Sequence, residues 1–367
     1  SMIAVGTPMR KDDSIDLQFI EQCARQVGQA LREKNEYHLV VVRSTVVPGT
    51  TRNLVGKLLE EESGKKMGED FGLCMQPEFL AEGRSIRDTL EPDRIIIGEL
   101  DTRSGTMLQE LYEEFYGVHL EKCPILRMNL ESAELVKYGN NCLLATKISY
   151  ANEMSRIAEL VPGVDISQVI KGVGLDYRIN EEFMRSGVGF GGSCFPKDVN
   201  AITAFAKSHN YNPRLFTAVL NINDDQAIHA VELLQEEIPD LTDKRISLLG
   251  LSFKPGTDDM RYAPSIRIAQ HLLALGATVI GYDPVAEEEA EKVLGDSIMY
   301  ADTIPEVLEN ADAAIVITEW DDISTIKPDE FKKYMKTPVI IDGRRVYEPE
   351  TYNKVVNLRS MGRRELA

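Results

Sequence analysis

Apolar residues along this chain recur in two rhythms, and the rhythm changes with position. From Asp16 to Lys34 they fall at helical spacing (Leu17, Ile20, Cys23, Val27 and Leu31), the one-sided stripe of an amphipathic helix. His38–Arg43 is a β-branched run ending at Ser44-Thr45, and Pro48-Gly49 marks a turn before a helix over Thr50–Glu61. Gly72–Met75, Arg94–Gly98 and Pro124–Met128 predict strands, and Ser104–Tyr116 a helix. At the start, Ile3–Pro8 reads as a buried strand running into a turn. Such alternation predicts a parallel sheet with helices on its faces, here about half of a doubly wound domain.

The longest helical signal runs from Leu130 to Val161, with Asn129 as N-cap, Glu131 and Glu134 in the first turns and Pro162-Gly163 as the stop. About 30 residues at 1.5 Å rise make about 45 Å, a length that suits a strut between domains. Apolar residues lie on more than one side of it (Leu135, Cys142, Leu143, Ile148, Tyr150, Met154, Ile157), which a dimer seam would explain. Further helical segments fill Asp165–Ile238. Strands then return at Lys244–Leu251, Thr278–Asp283, Ala313–Thr318 and Val339–Asp342, with helices over Ser265–Leu275 and Glu287–Leu294. Arg359–Ala367 reads as a polar, frayed tail.

A chain of 367 residues exceeds one ordinary core. Its net charge of −18 argues against nucleic acid or an anionic membrane as partner. The five cysteines (Cys23, Cys74, Cys123, Cys142, Cys194) are odd in number, with no C-x-x-C pair, so neither a disulfide framework nor a metal site is indicated. No apolar run approaches the roughly 18 residues of a membrane span, and no signal peptide is expected, nor any setting but a reducing, cytoplasmic one. Ser1-Met2 looks like a cloning remnant ahead of a native methionine.

The densest chemistry lies in Gly187-Val188-Gly189-Phe190-Gly191-Gly192-Ser193-Cys194-Phe195-Pro196-Lys197-Asp198. Glycines at four of the first six positions let the backbone come close to a ligand. A cation near a thiol favours the nucleophilic thiolate, and a carboxylate within reach can activate water. The competing reading is a glycine turn holding a buried, inert cysteine. The first six residues also satisfy G-x-G-x-x-G. A dinucleotide-binding turn, however, follows a strand and opens a helix, whereas the polar run Asn180–Ser186 precedes this one and Pro196 soon follows.

Lys137 and Asn141, at i and i+4, share one helix face. They form either a solvated polar face or, among apolar neighbours, a pair that binds an alkoxide or oxyanion. Gly139 between them leaves room for close approach to the backbone. Glu78 and Glu82 follow a strand end beside Phe79 and Leu80, where ligands of open α/β sheets gather; they read as a general base with raised pKa or as ordinary surface acids. Ser44 and Thr45 end another strand, their hydroxyls facing the same crevice. Lys254 and Arg261, within Phe253–Arg261, read as phosphate contacts, and Asp342-Gly343-Arg344-Arg345 ends the last strand with two arginines; turn residues with solvated cations are the competing reading for both.

Taken in order, Ile3–Pro8, Ser44-Thr45-Val46, Pro77–Gly83, Lys137-x-x-x-Asn141, Gly189–Asp198, Gly250–Arg261 and Asp342–Arg345 span nearly the whole chain, which resembles the nucleotide-sugar 6-dehydrogenases. The resemblance implies an α/β fold of two Rossmann-like doubly wound domains, the first truncated at its N-terminus, joined by a long central helix and a helical dimerisation region. The parts are a partial NAD-binding domain over residues 1–128, a central helical dimerisation domain with the catalytic loop over 129–240, and a UDP-sugar-binding domain over 241–367. In this family the β-α-β unit with the true G-x-G-x-x-G turn lies upstream of Ile3, so impaired turnover is expected of this chain.

By the same resemblance, Cys194 is the nucleophile in a four-electron oxidation of a UDP-sugar by NAD, through a thiohemiacetal and a thioester that water cleaves. Lys137 and Asn141 stabilise the oxyanion, Asp198 and Glu78 serve base and water activation, and Thr45 assists the water. Phe79, Leu80, Arg178, Phe190, Gly191, Phe253, Lys254 and Arg344 contact the substrate, Arg178 from across a homodimer formed through the central helix. Val5, Thr7, Ser44, Thr45, Glu82, Lys197 and Arg261 contact NAD. UDP-glucose, yielding UDP-glucuronate, is the favoured substrate. GDP-mannose or another nucleotide sugar is the alternative, and so is a non-catalytic nucleotide-sugar-binding fragment.

Overall fold

The computed structural model describes residues 1–364, apart from the side chains of residues 119 and 121. Among them two compact units form: residues 1–142 with 197–213, and residues 143–196 with the chain from Arg214 onward. In the first unit five strands lie side by side in chain order: β1 (Met2–Ile3), β2 (His38–Val42), β3 (Phe71–Met75), β4 (Ile95–Glu99) and β5 (Ile125–Asn129). Pleating sends alternate residues to opposite faces. Val40, Val42, Leu73 and Met75 enter one core, while Val41, Cys74, Ile95 and Ile97 enter the other.

Two expectations for this sheet are corrected. It is not wholly parallel: β1–β3 run parallel, but β3 and β4 pair antiparallel, with Cys74 opposite Glu99. A parallel return needs a crossover packed on the sheet, and the one helix between them, Ser85–Leu90, buries no residue. Second, β1 keeps only Ile3 of the expected strand, because beyond it side chains replace the ladder: Ser44 Oγ donates to Val5 O at 2.7 Å and Thr7 Oγ1 to Thr45 O at 2.9 Å. The helix expected over Thr50–Glu61 forms, π-helical over Thr51–Gly56 before passing into the α-helix Lys57–Ser63. There the fully buried Glu134 carboxylate accepts the Gly49 and Thr51 backbone N–H groups at 2.5 and 2.6 Å. Burial pushes the Glu134 carboxyl up, against the pull of those bonds.

The helix Leu130–Glu159, 30 residues long, starts in the first unit and continues into the second. Asn129 caps it, its Oδ1 accepting the Ser132 N–H at 2.8 Å. The second unit holds six parallel strands: β6 (Arg245–Leu249), β7 (Thr278–Tyr282), β8 (Met299–Tyr300), β9 (Ala313–Val316), β10 (Val339–Asp342) and β11 (Asn357–Ser360). Their order, β11-β10-β9-β6-β7-β8, is the Rossmann arrangement, with its switch point between β6 and β9. Ile246, Leu248, Ile315 and Ile341 face one core; Leu249, Val316 and Ile340 face the other. The frayed tail expected from Arg359 is corrected as well: Arg359 and Ser360 pair with β10, and Ser360 and Met361 are buried. Residues 365–367, the rest of that expectation, lie outside the described residues.

Candidate active site

Chemistry-bearing residues gather in each unit. In the first, the long helix supplies the framework. Lys137 and Asn141 are 4% and 5% exposed, so the solvated-face reading fails. Lys137 Nζ donates to Glu78 O at 2.7 Å and pairs with Glu78 Oε1 at 3.0 Å. It also lies 5.6 Å from the centre of the Phe79 ring, over which Arg94 stacks at 4.0 Å. Glu78 Oε2 accepts the Leu80 N–H at 2.7 Å, which fixes the loop after β3. Asn141 Nδ2 donates to Asp198 Oδ2 at 2.6 Å, and Lys197 Nζ pairs with Asp198 Oδ1 at 2.5 Å. Two lysine–carboxylate pairs therefore flank one helix face, and Asp198 is almost fully buried.

Around Asp198 the environment is dry. Burial, then the Asp198 charge, push the Cys142 thiol up to about 12. The same two causes raise the Tyr138 hydroxyl well above its ordinary value, and that hydroxyl has no protein partner among the described residues. At the strand ends, Thr7 and Ser44 donate their hydroxyl protons to backbone carbonyls, and Thr45 is half-buried. A Cβ at Gly6 would meet no atom within 4 Å, so the backbone between Val5 and Thr7 borders open space at the carboxyl end of β1, the end at which open α/β sheets take their ligands. Glu82 is half-buried in the loop that also carries Glu78. A Cβ at Gly139 would likewise meet no atom within 4 Å, so the backbone there is open to close approach.

In the second unit the glycine loop follows a turn and no strand, consistent with rejecting it as a dinucleotide turn. It is pressed against two other loops. A Cβ at Gly191 would lie 2.4 Å from Tyr262 O and 3.0 Å from Phe253 Cβ, and one at Gly187 would lie 2.8 Å from Gly343 O. Gly192 (φ +81°) donates its N–H to Arg261 O at 2.8 Å. Buried Phe190 meets Phe195 edge-on at 5.9 Å. Cys194 is exposed, while Cys74, Cys123 and Cys142 are buried and Cys23 half-buried. It directly precedes the helix Phe195–Ser208, whose amino end favours negative charge.

At the switch point, Gly250 (φ +88°) abuts Thr318, leaving no space for a Cβ. Beyond it Asp283, at the end of β7, accepts the Leu251 and Ser252 N–H groups at 2.8 and 2.9 Å and the Trp320 indole N–H at 3.1 Å, shaping the approach to Phe253 and Lys254. Lys254 Nζ lies 5.7 Å from the Phe253 ring centre. Arg344 Nε donates to Ile317 O at 2.5 Å and faces Glu319 at 3.3 Å, with its other nitrogens near Gly189 O and Phe253 O. It is held among the loops and is no solvated cation. Arg345 is likewise internal, bonded to Asp165, Ser167 and Met361 O. Arg261 forks onto Asp259, and Arg178, 72% exposed, forks onto Asp176. Lys197 is paired with Asp198, a partner that sequence spacing did not indicate. Sequence reasoning also missed Arg94, Asn223 and Asp283, whose partners lie far away along the chain.

Three models of the UDP-glucose/GDP-mannose dehydrogenase family match the chain in order: the NAD binding domain over residues 1–116, the central domain over 131–225 and the UDP binding domain over 247–349. The UDP-glucose 6-dehydrogenase AglM of Haloferax volcanii is 43% identical over 349 residues, 94% of this chain and 79% of that protein. A GDP-mannose 6-dehydrogenase of Pseudomonas putida is 44% identical over 286 residues, 77% of this chain and 63% of that protein. Among solved structures, a UDP-glucose dehydrogenase from the hyperthermophilic archaeon Pyrobaculum islandicum superposes with a TM-score of 0.88 at 39% identity, covering 99% of this chain and 79% of that one. No helix among the described residues is long and apolar enough to cross a membrane.

Proposed function

The chain belongs to the UDP-glucose/GDP-mannose dehydrogenase family of NAD-dependent nucleotide-sugar dehydrogenases, and from that premise we propose that it oxidises UDP-glucose to UDP-glucuronate with Cys194 as covalent nucleophile. One observation carries the proposal. Cys194 is the one exposed cysteine among the described residues and stands at a helix amino end whose first turn bears the Lys197–Asp198 pair.

The residues then divide the work. Asp198, oriented by Asn141 and Lys197, accepts the proton of the sugar's primary hydroxyl as the alcohol becomes an aldehyde. The Cys194 sulfur adds to the aldehyde carbon, and its former thiol proton leaves for the developing oxyanion. Lys137 and Asn141 are the donors for that oxyanion. Loss of a second hydride from the thiohemiacetal leaves a thioester, which water cleaves to the acid, restoring the thiol. Glu78, with Thr45, activates that water. NAD, when bound, takes up one hydride in each of the two oxidations. Val5, Thr7, Ser44, Thr45, Glu82, Lys197 and Arg261 are the residues proposed to hold it.

Phe253, Lys254 and Arg344, around the loops at the β6/β9 switch point, hold the nucleotide diphosphate by ring contact and charge. Phe79, Leu80, Phe190 and Gly191 bound the sugar. Leu143, Tyr150 and Ile157, exposed at seven-residue spacing on the long helix, support a homodimer that places Arg178 at the neighbouring site. The match to a GDP-mannose 6-dehydrogenase at similar identity supports GDP-mannose as the second reading. Incubation with UDP-glucose or GDP-mannose and excess NAD, with the products separated chromatographically, decides between them. Cys194→Ser is expected to form no uronic acid; unchanged uronate from that variant would remove Cys194 from the mechanism.

A further inference from the structure

The glycine loop that leads to Cys194 buries only the side chains of Val188 and Phe190 between its glycines, so its conformation leans heavily on what grips its backbone. One grip stands apart. Asn223 Oδ1 accepts the Phe190 N–H at 2.7 Å while Asn223 Nδ2 donates to Phe190 O at 3.0 Å. A single carboxamide thus satisfies both backbone polar groups of one loop residue, as a neighbouring strand would. The preceding Gly189 sits at φ +101°, and a Cβ there would lie 2.8 Å from Asn223 Oδ1. Glycine and asparagine are therefore matched: the amide can approach only because residue 189 has no side chain.

The helix carrying Asn223, Arg214–Glu237, is itself pinned. Ser149 Oγ donates to Val219 O at 2.9 Å, Arg156 Nε to Gln226 Oε1 at 3.2 Å, and Arg267 pairs with Asp224 at 2.8 Å. Towards its two ends the loop has further anchors: Gly187 N–H donates to Asn152 Oδ1 at 2.8 Å, Val188 N–H to Gly343 O at 3.2 Å and Gly192 N–H to Arg261 O at 2.8 Å. Asn223 grips the middle, the residues that flank the sugar in the proposed function.

We propose that Asn223 is a positioning residue for the Cys194 loop, acting through the Phe190 backbone to hold Phe190 and Gly191 in their ligand-ready form. The role in binding rests on the proposed function; the loop-holding role does not. Asn223→Asp is the discriminating variant. It keeps the shape and the acceptor for the Phe190 N–H but replaces the donor by an oxygen facing Phe190 O. A residue that merely filled space would tolerate it.

The test measures hydrogen exchange of the peptide spanning Gly187–Ser193, with calorimetric titration of UDP-glucose, on the full chain. Asn223→Ala is expected to speed exchange in that peptide about tenfold or more, and Asn223→Asp by a smaller factor, with no matching rise along Arg214–Glu237. UDP-glucose affinity is expected to fall about tenfold in Asn223→Ala. Arg267→Ala, which loosens the helix without touching Phe190, serves as the control and leaves the loop peptide near the wild-type rate. If Asn223→Ala does not fold, Asn223→Asp decides alone. Wild-type exchange in Asn223→Asp, or equal acceleration along the whole helix, overturns the proposal. Absence of UDP-glucose binding by the wild type would instead count against the proposed function, and the exchange measurement would still decide the loop-holding role.

Discussion

Replacing Lys137 with methionine separates its catalytic and structural roles. Methionine keeps most of the aliphatic stem and removes the ammonium. The bond from Nζ to Glu78 O at 2.7 Å is charge-assisted and buried, and its loss costs about 1.5–3 kcal/mol. The ion pair with Glu78 Oε1 counts for less, because the Glu78 side chain is 27% exposed and can rehydrate; about 0.5 kcal/mol is reasonable. Relief from burying an ammonium offsets part of both. The net is a destabilisation of about 1–3 kcal/mol, which at about 2–4 °C per kcal/mol lowers Tm by several degrees. Uronate formation, measured at 25 °C where the variant is folded, is expected to fall about 100- to 1000-fold, the usual cost of one oxyanion donor. A variant that loses those degrees of Tm yet forms uronate within threefold of wild type would show that Lys137 only braces the loop after β3, and the oxyanion assignment would fail.

Other consequences follow from the same contacts. Gly191→Ala drives a Cβ to 2.4 Å from Tyr262 O; an overpacking cost of about 1–3 kcal/mol and about tenfold weaker UDP-glucose binding by calorimetry are expected, and wild-type affinity would contradict the close loop packing. Glu134→Gln keeps one acceptor for Gly49 and Thr51 but sets an NH2 group against the other N–H, so urea denaturation should register a loss of about 1–3 kcal/mol; an unchanged midpoint would mean the π-helical turn does not depend on that carboxylate. Burial pulls the His229 imidazole down, but its bonds to Glu159 and Glu232 more than reverse this, so its folded pKa lies above 6.5. A raised histidine stabilises fully below the unfolded value and loses that contribution as pH rises through the folded one. The stability gap between wild type and His229→Gln is therefore expected to be larger at pH 6 than at pH 8.5, and an equal gap at both would refute the pairing.

Much of the architecture was legible because buried strands are short β-branched runs bounded by turn residues. Val40–Val42, Ile95–Ile97 and Ile340–Ile341 declare themselves this way, and the long helix announces its own start at Asn129. Pairing direction was not legible. The antiparallel step at β3–β4 depends on whether Ser85–Leu90 packs on the sheet, and its isolated sequence does not say. β8 and β11 are too short, and β11 too polar, for periodicity to register. The π-helical turn answers to Glu134, more than eighty residues away.

The site shows the same division. Lys137 and Asn141 stand out as one helix face, whereas their carboxylates, Glu78 and Asp198, become partners only through tertiary structure. Spacing alone set Lys197 beside the thiol, where folding gives it to Asp198. Asn223 lies in Asn221-Ile222-Asn223-Asp224-Asp225, which reads as an ordinary solvated helix turn, so nothing local marks it as the residue that grips the loop.

The central claim, a covalent four-electron oxidation at Cys194, is tested most directly by stoichiometry. A limiting amount of UDP-glucose is taken to completion with excess NAD, and NADH and sugar products are counted in the same vessel. Two NADH per UDP-glucose, with UDP-glucuronate as the product and none from Cys194→Ser, is the predicted result. One NADH per sugar with free aldehyde, or uronate from the serine variant, would contradict it.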